Sequence, residues 1–408
     1  MARICVIRAW YFPVDERINR EVDALLRDGH EVDLICARKP GQPAVERSGR
    51  LTVHRLPIAR KRGGVLRYAF EFIAFQLAAT LHAAVLHVQR RYAVVQVNSL
   101  PDWLVFAAVV PKLLGARVVL DLHECMPEYG ATKYHLGPRH PLVAALGLVE
   151  RACVGFADQV ITCTDQMKEL FVERGAPADK IAVVLNSFDE ERLGSERYHG
   201  VRPNDGPFTL VCHGTLDPNF GIDLVIRAVA LLKDRIPDLQ LRIYGDGPQR
   251  PELEALRSRL GVSDRVTLSK GFIPIDELLA RIAEAHAGVV AIRRDSFRDR
   301  THCNKMYDLM AMRRPVIISR TRAVQEYFGE ECFALFRSED VEDLASAIVR
   351  VHDDPTLREE LVRRATEVSE PYRWVHQREE YLAAIRSVLP APREVAAASS
   401  IVAAAEEP

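Results

Sequence analysis

The chain has 408 residues, with 55 lysines and arginines against 56 aspartates and glutamates, and a formal net charge of −1. This length predicts two domains, and the balanced charge excludes a general electrostatic attraction to nucleic acid. The eight cysteines are scattered without a closely spaced pair, which argues against a zinc knuckle or a secreted disulfide scaffold and fits a reduced cytoplasm.

The first half of the chain alternates short apolar runs with longer amphipathic segments, as in a parallel α/β sheet. Its first apolar run ends at Arg8 and is too short for a signal peptide. Strands are predicted at residues 4–7, 31–36, 94–97, 117–121, 159–163 and 181–185, and a helix at residues 16–27. We therefore expect a doubly wound first domain over residues 1–190.

Residues 65–88 are the strongest membrane candidate in the sequence. Arg67, Glu71, Gln76, His82 and His87 interrupt this segment, which leaves fewer than the roughly 20 clean residues that a span needs. We expect a helix of the protein core instead. A basic cluster at its start is expected to make peripheral contact with an anionic membrane, through Arg60, Lys61, Arg62 and Arg67.

Residues 186–207 are polar and irregular, which predicts an interdomain linker over 191–207. The alternation then resumes and predicts a second Rossmann-like domain over 208–370. Its expected strands are 208–212, 240–244, 266–269, 288–292 and 316–319, and its expected helices lie near 221–234, 249–260, 276–285 and 304–313. A helix over 371–390 is expected to pack back on the first domain, before a disordered tail over 391–408.

Residues 304–318 combine a polar entry, a helix and a buried strand. A helix that begins at Asn304 would direct its free N–H groups and positive dipole end outward, which suits a diphosphate. Asp308 would lie about 6 Å further along the same face, where a carboxylate can accept both ribose hydroxyls. This segment predicts the binding of a nucleotide-sugar.

Several motifs in this chain resemble the retaining glycosyltransferases of family 4, whose GT-B architecture sets two Rossmann-like domains across a cleft. The resemblance covers most of the chain. Besides the helix at Asn304, it rests on Asp121-Leu122-His123-Glu124, His213-Gly214-Thr215, Gly221-Ile222-Asp223 and Tyr244-Gly245-Asp246-Gly247-Pro248. It implies a hexosyltransferase that moves a sugar from a nucleoside diphosphate, UDP rather than GDP, to an acceptor hydroxyl, without a cofactor or an obligatory metal.

The resemblance assigns donor binding to the second domain. Gly214 would lie beside the diphosphate, since a glycine lets the backbone approach closely, and Gly245 would lie near the base. The full set of expected donor contacts is Gly214, Thr215, Gly245, Arg293, His302, Cys303, Asn304, Lys305 and Asp308.

Two positions depart from the family pattern. Arg300 stands where the first of two acidic residues is usual, and it would suit an anionic donor or a phosphate. Phe220 stands where many relatives carry lysine, so Lys305, Arg293 or Arg294 would have to neutralise the leaving diphosphate. For the two arginines a solvated surface role is an equal alternative.

His123, at the end of a predicted strand, is expected to position the sugar or the acceptor rather than to act as a nucleophile. Together with Arg300 and Asp308 it forms the predicted catalytic set. Tyr11, Glu124 and Glu128 are the expected acceptor-side residues, and the aromatic run 10–12 would stack on a ligand or pack against the last helix.

Two other functions remain open from the sequence. Arg300 and Phe220 are compatible with a catalytically silent GT-B protein that binds a nucleotide or a partner. A nucleotide-sugar epimerase shares the same architecture. For the transferase, the acceptor would be a glycolipid, a polysaccharide precursor or a small natural product, and the location cytoplasmic, with or without contact to the inner membrane face.

Overall fold

The computed structural model describes residues 1–58, 65–137, 139–201, 203 and 205–389. Two parallel sheets carry helices on both faces, which is the GT-B architecture expected from the sequence. The expected tail over 391–408 lies outside the described residues, as do Arg60, Lys61 and Arg62.

The first part of the chain forms eight strands and most of the helices that cover them. They run in the order β1 Arg3–Tyr11, α1 Glu16–Arg27, β2 Glu31–Ala37, β3 Val45–Ser48, β4 Leu51–Leu56, α2 Val65–Arg90, β5 Val94–Asn98, α3 Val109–Leu113, β6 Arg117–Leu122, α4 Met126–Lys133, α5 Pro141–Phe156, β7 Gln159–Thr162, α6 Asp165–Glu173 and β8 Ile181–Val183.

The second part contains six strands, and its last helix returns to the first sheet. The elements are α7 Glu190–Leu193, β9 Thr209–His213, α8 Ile222–Leu231, β10 Gln240–Tyr244, α9 Arg250–Arg259, β11 Val266–Leu268, α10 Ile275–Ala283, β12 Ala287–Val290, α11 Asn304–Ala311, β13 Val316–Ser319, α12 Arg322–Tyr327, β14 Ala334–Phe336, α13 Val341–Asp353, α14 Pro355–Ser369 and α15 Trp374–Val388.

Both sheets reverse their strand order once. The first sheet has the order β3-β4-β2-β1-β5-β6-β7-β8, parallel except for the β3–β4 pair, and the second has the order β11-β10-β9-β12-β13-β14. The reversals lie between β1 and β5 and between β9 and β12. Ligands of open α/β sheets bind beyond the carboxyl ends of the strands at such reversals, so the topology itself marks where the site should lie.

All eleven strands predicted from the sequence are present in the structure, whereas β3, β4 and β14 were not predicted. β3 is fully exposed and polar, β4 carries the polar pair His54-Arg55, and β14 is only three residues long. β3 and β4 lack the continuous apolar run that identifies a buried parallel strand, whereas β14 lies within the apolar run 332–336, to which no strand was assigned. The predicted helix at 16–27 is confirmed, and Asp15 caps its first turn by accepting from the Arg17 N–H.

The last helix, α15, packs on the first sheet rather than on the second. Trp374, Tyr381 and Ile385 are buried in one cluster with Ile4 of β1 and Ile18 of α1. Arg20 of α1 stacks on the Trp374 ring at 4.6 Å. The chain therefore crosses from the second sheet back to the first before it ends.

α2 contributes only one of its faces to the core. Phe75, Ala79 and Ala83 are at most 3 % exposed, whereas Leu77 and Leu81 on the other face are 67 % and 69 % exposed. Within the described part of the chain, α2 is the one helix long and apolar enough to cross a membrane by length and composition, and 33 % of its apolar window is buried. The expectation of a core helix therefore holds for one face only.

Candidate active site

The carboxyl ends of β5 and β6 bring polar side chains together next to the point where the strand order of the first sheet reverses. His123 follows β6 and is almost completely buried. Its Nδ1 lies 3.3 Å from Cys163 Sγ, and its Nε2 lies 3.0 Å from Asp121 Oδ2. Burial, with Arg17 adding to it, lowers the pKa of His123 to about 3. The imidazole is therefore neutral at physiological pH, which suits a positioning group better than a proton donor.

Behind His123 lies a buried carboxyl pair, Glu21 and Asp121. Asn98 Nδ2 donates to Glu21 Oε2 at 2.9 Å and to Asp121 Oδ2 at 2.6 Å. Gln96 donates to Glu21 and accepts from the hydroxyl of Tyr381 on α15. Burial and the neighbouring Asp121 charge raise the pKa of Glu21 to about 8, and burial raises the pKa of Asp121 to about 6. Glu21 consequently holds a proton at neutral pH.

This pair makes stability depend on pH. The pKa of Glu21 rises from its ordinary 4.5 to about 8 on folding, so the folded state binds a proton that the unfolded state has lost. Stability should fall as pH increases through that window, by at most about 1.4 kcal/mol per pH unit. Glu21→Gln mimics the protonated acid and should flatten the decline when urea unfolding is compared at about pH 5 and about pH 8.

In the Glu21→Gln variant, Asp121 still makes the free energy of unfolding depend on pH, because its pKa is also raised. Glu342→Gln, at an exposed position of α13, is the matched control and should leave the slope unchanged. An unaltered slope in Glu21→Gln would show that Glu21 is ionised in the folded protein.

Three arginines of the first domain surround this centre, and sequence reasoning did not assign them. Arg8 in β1 pairs with Asp15 at 2.9 Å, and Arg17 lies 3.5 Å from the same carboxylate. Burial alone would raise the pKa of Asp15, but the two arginines outweigh it and lower the pKa to about 2. Arg20, one turn after Arg17, donates to Asn186 Oδ1 at 2.7 Å. Arg8 lies in β1 and the other two lie on α1, so their position around the first strand-to-helix connection was the available signal.

Glu21, Asp121 and His123 also form the one group of potential metal ligands found among the described residues, with ligand atoms within 4.8 Å of one another. Both carboxylates already accept hydrogen bonds from Asn98. The raised pKa of Glu21 further favours a shared proton at this position. The donor set therefore fits a cation poorly.

In the second domain, Asp308 and His213 meet at the carboxyl end of β9. His213 Nε2 lies 2.8 Å from Asp308 Oδ2, and about a quarter of the Asp308 side chain is exposed. The sequence placed Asp308 correctly on a helix that begins at Asn304, but gave no sign of its histidine partner. In the described structure, no side chain caps the first turn of that helix.

Lys305 lies across the turn that follows β9. Its Nζ is 3.3 Å from the centre of the Phe220 ring, a cation–π contact. A Cβ atom at Gly214 would lie 2.6 Å from Lys305 Cε, and the backbone there has a φ of +99°, which favours glycine. Burial lowers the pKa of Lys305. Phe220 stands where the family pattern has a lysine, and Lys305 places its ammonium group next to that ring instead.

Gly245 holds the neighbouring turn against Gly214. A Cβ at Gly245 would lie 1.8 Å from the Gly214 carbonyl oxygen, which no side chain permits. The Gly214 N–H donates to the Tyr244 carbonyl at 2.8 Å, and the Gly245 N–H donates to Ser269 Oγ at 3.0 Å. Gly214 therefore leaves room for the Lys305 stem, while its own N–H is used within the protein.

Other expected donor residues surround this turn with different contacts. Arg293 forms a bidentate pair with Asp223 at 3.0 and 2.8 Å, and Arg294 pairs with Asp299 at 2.6 Å. His302 Nδ1 lies 2.8 Å from the Tyr307 hydroxyl inside an aromatic cluster, and burial lowers its pKa to about 4. Asn304 and Thr215 are exposed and Cys303 is half-buried.

Contacts between the two halves bring these groups to opposite sides of one cleft. Thr164, beside Cys163, donates to the Arg300 carbonyl at 2.6 Å, and the Tyr327 hydroxyl donates to Asp165 at 2.6 Å. Arg322 pairs with Glu169 at 2.7 Å. The His123 loop and the segment that leads into α11 therefore face each other.

Arg300 and the acceptor-side residues lie at the edges of this arrangement. The Arg300 guanidinium donates to the Ser296 carbonyl at 2.5 Å. Glu128 pairs with Arg174, which also binds Glu150 at 2.7 Å, so its carboxylate serves the packing of α4 on α5. Glu124 and Tyr11 are half-buried, with Lys39 5.4 Å from the Tyr11 ring.

Family models match both halves of the chain. A "Glycosyl transferase 4-like domain" matches residues 14–187, and "Glycosyl transferases group 1" matches residues 207–354. The alpha-D-kanosaminyltransferase of Streptomyces kanamyceticus is 28 % identical over 271 residues, which cover 63 % of this chain and 67 % of the relative.

Solved structures share the fold over nearly the whole length. Sucrose-phosphate synthase from Thermosynechococcus elongatus has a TM-score of 0.75 at 22 % identity, and the match covers 95 % of this chain and 99 % of that one. Anabaena HepE in complex with UDP has a TM-score of 0.67 at 15 % identity, and the match covers 95 % of this chain and 100 % of that one.

Proposed function

The chain belongs to the family 4, group 1 glycosyltransferases and uses a nucleotide-sugar donor, and from this premise we propose that it transfers a hexose from a UDP-sugar to an acceptor hydroxyl with retention of configuration. The observation that carries the proposal is the apposition of two groups across the cleft. His123 with its buried carboxyl pair lies on one side, and Asp308 with Lys305 lies on the other.

The second domain offers a place for each part of the nucleotide. Asp308 is partly exposed beside His213 and supplies a carboxylate for the ribose hydroxyls. The uncapped first turn of α11 and the Lys305 ammonium suit the diphosphate. Gly245, on the turn packed against Gly214, is proposed to border the base. The UDP bound to Anabaena HepE, which shares this fold, supports UDP as the nucleotide.

The chemistry follows from what lies near the donor sugar. Asp121 and Glu21 are buried behind His123, so neither carboxylate is placed to attack the anomeric carbon as a nucleophile. The acceptor hydroxyl then attacks from the face that the diphosphate leaves, and a diphosphate oxygen accepts its proton. His123 positions the sugar with a neutral ring. Lys305 stabilises the charge that develops on the leaving group, so no obligatory metal is required.

The acceptor is proposed to enter on the first-domain side, past Tyr11 and Glu124. Its class is a glycolipid, a polysaccharide precursor or a small natural product, the last in line with the kanosaminyltransferase relative. The enzyme would work in the cytoplasm. Arg67, with Arg60, Lys61 and Arg62 before it in the sequence, would contact the inner membrane face.

Thermal unfolding in the presence of UDP-, GDP-, ADP- and TDP-sugars tests the donor assignment. A ligand that binds only the folded state raises its apparent stability, by about 2.7 kcal/mol at one hundred times the Kd. We expect UDP-sugars to raise Tm and the other donors to raise it less. No shift with any nucleotide-sugar would contradict the proposal, whereas a selective shift with another base would correct the nucleotide.

One observation favours a second candidate, a nucleotide-binding protein without transfer activity. The Lys305 stem covers Gly214, where a diphosphate is expected, and Phe220 stands where relatives carry lysine. Release of free UDP from the donor in the presence of water alone would exclude this candidate. A Tm shift without UDP release or transfer would support it.

A further inference from the structure

The outer face of α2 is an apolar stripe on the surface of the first domain. Six side chains on this face are 47 to 71 % exposed, and they are Phe70, Ile73, Leu77, Leu81, Val85 and Val88. Because each residue turns a helix by about 100°, these six lie within roughly 60° of a single line along α2. The stripe is about 27 Å long, from Phe70 to Val88.

No charged residue interrupts this stripe between Phe70 and Val88. The two other residues in the same sector are Ala74 and Ala84. The opposite face is also apolar, because Phe75, Ala79 and Ala83 pack in the core. Two opposite faces of α2 are thus apolar and only one of them is covered, so an exposed stripe of this size marks an interaction surface.

The apolar surface continues beyond the end of α2. Leu113, the last residue of α3, is 81 % exposed, and Leu114 after it is 58 % exposed. α3 itself packs against α2. The backbone of Leu114 lies within hydrogen-bond reach of His87 on α2. Two exposed leucines thus extend the stripe near its carboxyl end.

Charge indicates what covers the stripe. From residue 65 to residue 91 the chain carries three arginines, Arg67, Arg90 and Arg91, and one acid, Glu71, although the whole chain has a net charge of −1. The sequence before α2 adds Arg60, Lys61 and Arg62, which lie outside the described residues. Arg67 pairs with Glu71 and Arg90 pairs with Asp33, whereas Arg91 is exposed at the carboxyl end of α2. The segment 60–91 as a whole therefore carries a net positive charge.

A second copy of this chain is a poor partner for such a surface. Pairing of two α2 helices would bring together two segments that each carry a net positive charge, which is unfavourable. An anionic lipid surface complements both features, since it accepts the apolar side chains and attracts the arginines. The buried opposite face excludes a span, because α2 would have to leave the core to cross a bilayer.

The position of α2 relates this surface to the cleft. Only residues 91–93 separate α2 from β5, so the end of α2 lies at the amino edge of the sheet. The helix is about 39 Å long and runs back past the five-residue strand β5. Its start, with Arg67 and Phe70, therefore lies at the carboxyl edge, where His123 is found.

We propose that the stripe along α2 and the leucines after α3 are a docking surface for an anionic lipid bilayer. This surface holds the mouth of the cleft at the membrane and supplies the enzyme with an acceptor that is itself embedded in lipid. The docking surface stands on its own observations, while the lipid-embedded acceptor rests on the proposed transferase function.

Sedimentation of the full chain with vesicles tests the docking surface. We expect binding to vesicles of phosphatidylcholine with phosphatidylglycerol, weaker binding to phosphatidylcholine alone, and a decrease with added salt. Leu77→Gln with Leu81→Gln should reduce the vesicle affinity at least tenfold without lowering Tm, because both leucines are about two-thirds exposed. The matched control is Leu231→Gln with Phe272→Gln, at exposed positions of the second domain, which should bind as the unchanged chain does.

Three results would overturn the proposal. The first is no binding of the unchanged chain to anionic vesicles, and the second is equal binding by the Leu77/Leu81 variant. The third is a stable dimer in light scattering that the same variant dissociates, which would assign the stripe to a second copy of the chain. Tm shifts with UDP-sugars, measured on the same samples, separate this test from the donor assignment. A Tm shift with UDP-sugars but no vesicle binding refutes only the membrane-docking surface. Vesicle binding without such a Tm shift refutes only the assignment of a UDP-sugar as donor.

Discussion

Asp308→Ala is expected to weaken the binding of UDP by about ten- to one-hundredfold. Hydrogen bonds to a charged group contribute about 1.5–3 kcal/mol each, and about 1.4 kcal/mol corresponds to a factor of ten in affinity. Asp308 is partly exposed at the carboxyl end of β9, and we expect it to accept from the ribose. Calorimetric titration with UDP measures the loss directly.

The contact with His213 must be separated from the contact with the nucleotide, because alanine removes both. Asp308→Asn keeps an oxygen that can accept from His213 Nε2 and removes only the charge. We expect this variant to retain the Tm of the unchanged chain and to bind UDP with intermediate affinity. Equal UDP affinity in Asp308→Ala and the unchanged chain would refute the placement of the ribose at Asp308.

Lys305→Met is expected to lower kcat by about one hundred- to one thousandfold. A fixed donor or cation aimed at developing charge contributes that much in enzymes where it has been removed, and Lys305 is the cation nearest to the Gly214 turn. Methionine keeps an unbranched apolar stem against Phe220 and Gly214. The effect should therefore appear in turnover of the UDP-sugar rather than in folding, and the rate of UDP release measures it.

Arg294→Met provides the comparison for this variant. Arg294 lies in the same region, but its side chain is about half exposed and pairs with Asp299. We expect a small change in kcat for Arg294→Met. If the arginine variant loses the activity and the lysine variant keeps it, the leaving group is stabilised by Arg294 instead.

Much of the fold could be predicted from the sequence, because buried parallel strands leave continuous apolar runs that are visible without a structure. The fifteen-residue run from Asn304 to Ile318 held a helix start, a helix end and a strand in one stretch. β3 left no such run, since it is polar and wholly exposed, whereas the apolar run 332–336 that contains β14 was visible and was not assigned.

The candidate site was predictable only where the information is local. Gly214, His123 and Asp308 each follow or begin a predicted element, so their positions at the carboxyl edge could be inferred. The pair His213–Asp308 joins residues 95 positions apart, and Lys305 reaches back to Phe220 across 85 positions. Such pairings depend on how the strands are ordered, which the periodicity of a single sequence does not specify.

The return of α15 to the first sheet has a consequence for the order in which the protein is completed during synthesis. The Tyr381 hydroxyl binds Gln96, which binds Glu21 beside Asp121 and His123. The histidine of the amino-terminal half is thus held in place by a helix that is synthesised after the whole second sheet. Until Tyr381 has been synthesised, Gln96 beside the buried carboxyl pair lacks one of its partners, so the first sheet can be completed only after the second.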